Sequence, residues 1–204
     1  MCDVLKPAVA PERRAPLAAC GEEDGALMAR VAAGDALAFR ALVERHSAMV
    51  HGLAWRMLGP ADAEDVVQES FTRLWVNAKG WSPAGGGLGG WLRRVATNLC
   101  LDRLRKPRTL SDAVLADHAD DAPPADAQLD ADRRATAVAG AVRALPDRQR
   151  AAIVLTYYEG LPNAEAAAIL GLGVKAVESL LVRARQALVQ SLARQGLIEA
   201  GGQA

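Results

Sequence analysis

The side chains best suited to chemistry lie near the C-terminus, where polar residues recur at helical spacing. Each residue of an α-helix advances by about 100° around the axis, so these side chains share one face while the opposite face is apolar. The polar set is Lys175, Glu178, Ser179, Arg183, Arg185 and Gln186, and the apolar set is Val174, Val177, Leu180, Leu181, Ala184, Ala187, Leu188 and Leu192. The pattern predicts a helix with a buried side and a side that can hydrogen-bond base edges and phosphates of DNA.

A shorter helix and a glycine turn precede this helix, as a helix-turn-helix requires. We expect Asn163 to cap the short helix by accepting a backbone N–H, and Gly171 and Gly173 to permit the sharp reversal that follows. An ordinary helical hairpin with a solvated polar face fits this segment equally well. Features elsewhere in the chain are needed to decide between a DNA-binding helix-turn-helix and an ordinary helical hairpin.

The composition predicts helices throughout. Of the 204 residues, 51% are hydrophobic and only 4% are aromatic, and alanine, leucine and arginine fill the periodic segments. We therefore predict an all-α protein, and its length suits two small helical domains. No cofactor and no metal are expected.

A formal net charge of zero conceals an uneven distribution. Residues 107–132 hold seven of the 24 acidic residues and one of the 24 basic residues, which leaves 17 acidic and 23 basic residues elsewhere. This Asp-, Ala- and Pro-rich run is typical of a flexible acidic linker, because it has too few apolar residues to pack. A last group of helices begins near Asp132. The predicted division is a leader at 1–22, a first domain at 23–106, the linker at 107–130, a second domain at 131–195 and a tail at 196–204.

The cysteines and the N-terminus indicate the cellular compartment in which the protein is expected to work. Cys2, Cys20 and Cys100 have no paired spacing, so neither a disulfide framework nor a zinc site is expected. The N-terminus lacks the apolar core of a signal peptide, and no segment reaches the ~20 apolar residues of a membrane span. We expect a cytoplasmic protein without membrane insertion, in which Cys100 is a small core residue.

Three helices are predicted in the first part of the chain. The apolar spacing pauses at Gly34-Asp35, where Asp35 can cap a second helix, and it stops at Gly59-Pro60. A third helix starts at Asp62 and runs to about residue 78. Its acidic first turn complements the helix dipole, and its polar face also suits a protein partner. Asp65, Gln68, Glu69 and Arg73 can align along that face, Asp62 and Glu64 belong to the acidic first turn, and all six are candidate contacts with the partner.

A fourth helix, from residue 91 to about 106, combines cations with tryptophan. The glycine-rich residues 80–90 before it predict a loop, which lacks the Gly-Lys-Ser/Thr ending of a Walker loop. Cations can hold phosphates while bases stack on aromatic rings, which predicts a site for single-stranded nucleic acid. A solvated cationic face is the alternative. The tryptophans are Trp81 and Trp91, and the cations are Arg93, Arg94, Arg103, Arg105, Lys106 and Arg108.

Five short motifs follow one another along both predicted domains, with the acidic linker between the third and the fourth. They are Arg30-Val31-Ala32-Ala33-Gly34-Asp35 with Phe39, Asp62-Ala63-Glu64-Asp65-Val66-Val67-Gln68-Glu69, Trp91-Leu92-Arg93-Arg94-Val95-Ala96-Thr97-Asn98, Leu145-Pro146, and Val177-Glu178-Ser179-Leu180-Leu181-Val182-Arg183-Ala184-Arg185. In this order they resemble the extracytoplasmic-function (ECF) group of bacterial sigma factors. The resemblance implies a transcription initiation factor without enzymatic activity that confers promoter choice on core RNA polymerase, for a stress or envelope regulon.

For the first domain, the resemblance implies two binding surfaces. The polar face of the third helix would dock on the clamp helices of the largest polymerase subunit. The loop after that helix, together with the fourth helix, would capture a flipped base of the minus-ten element. This maps to Trp81 and Trp91, to Asn98, and to Arg93, Arg94 and Arg103 near phosphates.

For the second domain, the resemblance implies recognition of the minus-thirty-five element as duplex DNA. Lys175 suits guanine or phosphate, Glu178 can accept from cytosine N4, and Ser179 can bond a base or a phosphate. Arg183 and Arg185 lie further along and grip phosphates. Val182 either touches a thymine methyl group or is merely exposed.

Two segments depart from the family pattern. Residues 85–90 are nearly all glycine where the family carries charged or aromatic residues, which weakens preorganisation for the minus-ten base. Pro162-Asn163-Ala164-Glu165 replaces the usual Ser-Tyr-Glu-Glu, which caps the helix with altered chemistry.

Two other functions compete with this interpretation. A stand-alone helix-turn-helix regulator would bind duplex operators without polymerase. A small hydrolase or metal enzyme would use His46, His51 or His118, but these lack His-Glu-x-x-His spacing and a nearby ligand cluster. Because the family is frequently held inactive by an anti-sigma factor, such a partner is expected, although nothing in the sequence identifies it.

Overall fold

The structure is a computed structural model that describes residues 23–83, 86–105 and 126–198. Within these ranges all regular structure is helical, which confirms the all-α prediction. The described residues fall into two compact units, one within 23–105 and the other within 126–198. The predicted leader and most of the predicted linker lie outside the described residues.

The N-terminal unit contains four helices, which are α1 (Asp24–Ala32), α2 (Ala36–Leu58), α3 (Pro60–Asn77) and α4 (Gly87–Arg105), with a 3₁₀ turn at Ala78–Gly80. The long α2 is central, since it contacts α1, α3 and α4. Fully buried side chains at this centre include Leu42, Val50, Leu53, Val66 and Leu92. Full burial of one such side chain contributes about 1.5–3 kcal/mol, so apolar packing around α2 holds the unit together.

Local signals set the boundary between α1 and α2. Asp35 accepts hydrogen bonds from the backbone N–H groups of Leu37 at 2.9 Å and Ala38 at 3.2 Å, which confirms its predicted role as a cap. Its other carboxylate oxygen accepts from Arg30 Nη2 at 2.7 Å. The bond from Arg30, followed by that from Ala38, holds the pKa of Asp35 below its usual value.

The third helix begins at Pro60 rather than at Asp62. Gly59 has a φ of 99°, a conformation that side-chain-bearing residues rarely adopt, and this turn reverses the chain directly after α2. Proline suits the first helical position, because the N–H that it lacks would have no partner within the helix. The helix can therefore start immediately after the turn.

The expectation of a loop over residues 80–90 is partly wrong, because α4 already begins at Gly87. Leu88 is only 2% exposed and lies one turn before Leu92, which is fully buried. Burial of Leu88 stabilises a helical turn that its glycine neighbours disfavour. Residues 84 and 85 lie outside the described part of the chain.

The C-terminal unit contains α5 (Asp126–Arg143), α6 (Asp147–Ile153) continued by a π-helical turn (Val154–Tyr158), α7 (Asn163–Leu170) and α8 (Val174–Arg194). Helix α8 contacts α5, α6 and α7, and the buried core includes Ile153, Leu155, Ala166, Val177 and Leu188. The start of α5 at Asp126 precedes the start predicted near Asp132. Alanine and leucine in residues 126–132 favour a helix, which outweighs the aspartates that suggested a linker.

A buried cation holds the turn before α6. Arg150 is 8% exposed, and its Nη2 donates a hydrogen bond to the carbonyl of Leu145 at 3.1 Å. The carboxylate of Asp147 lies 3.9 Å from the same nitrogen. The Leu145-Pro146 motif is therefore anchored by an arginine that the sequence analysis did not single out.

Candidate functional site

Helices α7 and α8 are joined by a tight turn at residues 171–173. Gly171 has a φ of 63°, in the left-handed region, and its N–H bonds the carbonyl of Ala167. The N–H of Leu172 bonds the same carbonyl at 3.0 Å. A β-carbon at Gly171 would be strained, so glycine ends α7 and turns the chain into α8, which is the predicted helix-turn-helix connection.

The predicted capping role of Asn163 is wrong. Asn163 is the first residue within α7, Pro162 occupies the cap position, and no side chain accepts a hydrogen bond there. The carbonyl of Pro162 accepts from the N–H groups of Glu165 and Ala166, each at 3.0 Å. The extended backbone of Pro162 therefore starts the helix one residue earlier than the asparagine cap required.

Helix α8 separates apolar from polar residues as predicted, with one exception. Of the apolar set, Val177, Leu181, Ala184, Leu188 and Leu192 are buried, and Leu180 and Ala187 are half-buried. Val174 was expected on the buried face but is 42% exposed. It is the first residue of the helix and lies at the edge of the apolar arc, where no preceding turn covers it.

All five polar residues predicted to contact DNA on α8 are exposed, namely Lys175, Glu178, Ser179, Arg183 and Arg185. Arg183 Nε donates to the carbonyl of Ser179 at 3.3 Å, and Arg185 Nε donates to that of Leu181 at 3.2 Å. Each arginine therefore lies along the preceding turn of its own helix. The face carries three cations and one carboxylate, a balance that complements phosphate.

The polar face predicted on α3 is present. Glu64, Asp65, Gln68 and Arg73 are exposed, and Asp62 and Glu69 are half-buried. Glu69 Oε1 accepts from Arg73 Nε at 2.8 Å, an i,i+4 pair that orients both side chains. Such a surface pair contributes roughly 0.3–0.5 kcal/mol, so exchanging it for contacts with a partner costs little.

An open groove of about 500 Å³ lies beside this face, between α2 and α3. Its lining residues are Ser47, Ala48 and His51 of α2 and Glu64, Val67 and Gln68 of α3. The contribution of α2 was not predicted, because the apolar stripe of that helix gives no sign of a partner surface. The i,i+4 spacing of Ser47 and His51 was the available signal.

An exposed apolar side chain on α3 was also missed. Val76 is 72% exposed, and helical geometry puts it on the same side as Asp65, Glu69 and Arg73. Its neighbour Trp75 is 40% exposed and meets the ring of Phe39 edge-on, with centroids 5.1 Å apart. The polar face of α3 therefore includes an apolar contact.

The residues predicted on α4 to bind single-stranded DNA differ in exposure. Arg94 and Asn98 are exposed, whereas Arg93 and Arg103 are half-buried. Arg103 Nη2 lies 4.0 Å from Asp65 Oδ2 on α3, and its Nη1 is buried without a hydrogen-bond partner in the described residues. Arg103 thus lies between the two predicted surfaces of this unit.

Neither tryptophan of the predicted stacking site is fully exposed. Trp81, which follows the 3₁₀ turn, and Trp91, in the first turns of α4, are both half-buried. The Nε1 of Trp81 is buried and finds no hydrogen-bond partner among the described residues. Only part of each ring is accessible to a base.

The structure shows the surroundings of two of the three histidines that an enzyme would use, His46 and His51. His46 Nε2 lies 2.8 Å from Asp24 Oδ2, and Arg45 Nη1 lies 2.5 Å from the other oxygen of that carboxylate. His51 lines the groove between α2 and α3, and His118 lies outside the described residues. In residues 23–83, 86–105 and 126–198, no three His, Cys, Asp or Glu side chains are grouped to hold a metal.

The same residues contain no helix with the length and apolar character needed to cross a membrane.

A helix-turn-helix with an exposed cationic face, as the C-terminal unit has, is typical of DNA-binding proteins. Residues 42–109 match the family model for Sigma-70 region 2, and residues 136–188 match that for Sigma-70 region 4. The ECF RNA polymerase sigma factor SigE of Mycolicibacterium smegmatis is 37% identical over 75% of this chain, which spans 61% of SigE.

For two further relatives, the match with this chain covers more of the relative's own length. The ECF RNA polymerase sigma factor SigW of Bacillus subtilis is 34% identical over 80% of this chain and 93% of SigW. The solved structure of the sigma factor RpoE of Bartonella quintana, in complex with the anti-sigma factor NepR, has a TM-score of 0.58 at 25% identity and covers 76% of this chain and 96% of RpoE. The chain belongs to the ECF group of RNA polymerase sigma factors.

Proposed function

We propose that this chain binds core RNA polymerase, recognises the minus-ten and minus-thirty-five elements of a promoter, and directs transcription initiation. The observation that carries this proposal is the presence of two helical units with separate partner faces in one chain. A stand-alone regulator needs the DNA-binding face of α8 but has no use for an acidic docking face on α3.

The face of α3 docks on the clamp helices of the largest polymerase subunit. Its contact residues are Asp62, Glu64, Asp65, Gln68, Glu69 and Arg73, four carboxylates against one cation. We expect a partner surface that is mainly cationic, since opposite charges accelerate and orient docking. Val76, exposed on the same side, supplies an apolar contact at the C-terminal end of this face, one turn beyond Arg73.

Helix α4 holds the melted minus-ten element. Arg93 and Arg94 bind phosphates of the non-template strand, and Asn98 offers an amide to a base edge. The accessible parts of Trp81 and Trp91 stack on an unpaired base, at roughly 1–3 kcal/mol for a base that stacks fully. Arg103 binds the phosphate nearest α3, since it already faces Asp65.

Helix α8 reads the minus-thirty-five element in the major groove of duplex DNA. Lys175, Glu178 and Ser179 lie in its first turns, where a recognition helix meets base edges. Arg183 and Arg185 bind phosphates and position the unit, without carrying sequence information.

The chain works without catalytic activity of its own, because the polymerase carries the chemistry of RNA synthesis. It acts in the cytoplasm, where core polymerase and the chromosome meet, on a stress or envelope regulon. Since RpoE was solved in complex with the anti-sigma factor NepR, we expect an anti-sigma factor to hold this chain inactive by covering its docking faces.

Run-off transcription with purified core polymerase and a promoter library tests the proposal. We expect transcripts that start at defined positions downstream of two shared sequence elements, and none from core polymerase alone. A gel-shift assay examines the alternative regulator. Binding of the isolated chain to promoter duplex that is undiminished without core polymerase, together with unselective transcription, would overturn the proposal.

A further inference from the structure

Two neighbouring rows of side chains on α8 differ in their chemistry. Residues four apart in a helix form a row along its surface. One row consists of Lys175, Ser179 and Arg183, and the adjacent row consists of Val174, Glu178 and Val182. All six residues are exposed, with Val174 at 42% and Val182 at 47%. The first row is cationic, and the second is apolar at both ends with a carboxylate between.

The second row, which we term the Val-Glu-Val row, is unsuited to phosphate. Its valines have no hydrogen-bond donors, and the carboxylate of Glu178 is repelled by a phosphate. Among the described residues none forms an ion pair with Glu178. A carboxylate that enters the major groove needs a donor, and the base edges there present only the amino groups of cytosine N4 and adenine N6.

Valine side chains also have a specific partner in the major groove. The one apolar group displayed there is the C5-methyl group of thymine. Cytosine N4 and the thymine methyl group both belong to pyrimidines, so an apolar, acceptor, apolar row matches one strand that carries cytosine beside thymine. Adenine suits a carboxylate less well, because its N7 acceptor lies beside the N6 donor and repels the negative charge of Glu178.

The spacing of the row agrees with this match. Residues four apart lie about 6 Å apart along a helix, because each residue rises 1.5 Å. Successive base pairs lie about 3.4 Å apart. Neighbouring members of the row therefore reach bases one or two steps apart on the same strand, while Arg183 of the adjacent row reaches a backbone phosphate.

We propose that the Val-Glu-Val row determines the upstream specificity of this protein by reading a pyrimidine strand, with Glu178 accepting from a cytosine amino group and Val182 contacting the methyl group of a thymine within two steps of it. This inference rests on the proposed function. It adds Val174 to the contact residues, and it decides between the two roles of Val182 in favour of a thymine contact.

The thymine contact is tested with the full chain bound to core polymerase. A promoter is first selected from a library, and each thymine of its upstream element is then replaced singly by uracil, which removes only the methyl group. We expect one replacement to weaken competition for the holoenzyme about fourfold, the equivalent of one buried methyl group. Val182→Ala should cause a similar loss on the thymine promoter and should then be insensitive to uracil. Val189→Ala, further along α8, is the matched control and should keep the sensitivity.

The cytosine contact is tested by repeating the selection with variants of Glu178. We expect wild-type protein to select cytosine beside thymine, and Glu178→Gln to accept adenine at that position, because a side-chain amide matches adenine N6 and N7. Glu178→Ala should bind unselected DNA more tightly while its preference for cytosine is lost.

The outcomes separate this inference from the function on which it rests. Promoter-specific initiation with an upstream element that lacks neighbouring cytosine and thymine, or with equal uracil sensitivity in wild type and Val182→Ala, would overturn the inference alone. Initiation without promoter selectivity would overturn both.

Discussion

Asp65 on α3 and Arg103 on α4 face each other, with Oδ2 and Nη2 4.0 Å apart. The Asp65 side chain is 67% exposed, so water screens the pair and its contribution is roughly 0–1 kcal/mol. The contact nevertheless joins the helix proposed to bind polymerase to the helix proposed to bind the minus-ten element. We expect a partner that engages Asp65 to release Arg103 for DNA.

Replacing Asp65 by asparagine should weaken binding to core polymerase about tenfold, because the docking face loses an exposed carboxylate. The melting temperature should not change, since the pair with Arg103 is weak. Titration of labelled protein with purified core polymerase measures the affinity. Glu44→Gln is the control, because Glu44 is an exposed carboxylate on α2 that pairs with Arg40 at 2.8 Å. An equal loss in both variants would mean that only overall charge matters.

The two DNA-binding units should respond differently to loss of cations. Lys175→Ala should reduce initiation about tenfold on a promoter with both elements, and its defect should vanish when the upstream element is deleted. The double variant Arg93→Ala/Arg94→Ala should impair open-complex formation on both templates. Permanganate footprinting of the melted strand reports this difference, and Arg40→Ala serves as the control cation. Wild-type activity in both variants would remove these site assignments.

Gly171→Ala should destabilise the C-terminal unit by about 1–2 kcal/mol. A β-carbon at this position meets no atom within 4 Å, so the cost comes from the φ of 63° alone. Gly140→Ala is the matched control, since Gly140 lies inside α5 with equal space but no positive φ. It should stabilise the same unit by about 0.5–1 kcal/mol. Urea unfolding followed by circular dichroism should therefore show opposite signs, and equal signs would contradict the role of the turn.

Leu88→Ala should destabilise the N-terminal unit by about 2–5 kcal/mol, because it empties a fully packed site in the first turn of α4. Leu37→Ala removes the same atoms from a residue that is 73% exposed, and should change stability little. Thermal unfolding of both variants measures the contrast. If Leu88→Ala melted like wild type, residues 87–90 would not form the described helical turn.

The contribution of Asp35 to the stability of the N-terminal unit should depend on pH. Because the pKa of Asp35 is lowered in the folded protein, its stabilising effect is present above the unfolded value of 3.8 and is lost as pH falls through the lower folded value. Asp35→Asn should lower the melting temperature at pH 7, and the difference from wild type should shrink below pH 3.8. Calorimetry across this range measures it, and a difference that grew on acidification would contradict the assigned sign.

Local periodicity carried much of the fold prediction. The cap at Asp35, the end of α2 at Gly59 and the faces of α8 follow from interactions within a few residues, which a sequence displays directly. Asn163 is not the cap because α7 already begins directly after Pro162, and propensity alone does not choose between neighbouring start positions. The assignment of partners to each face stays a prediction that the proposed experiments test.

The sequence by itself determined the helices, their apolar faces, the order of the motifs and hence the family. Only the tertiary structure decided which of those residues meet or remain accessible: the groove formed by His51 with Glu64, the approach of Arg103 to Asp65, the burial of Leu88 and the exposure of Val174 and Val182. The physical reason is the separation along the chain over which each kind of interaction acts. Helix formation depends on residues three or four apart, whereas contacts between helices join residues that are distant in the chain and depend on how whole faces pack.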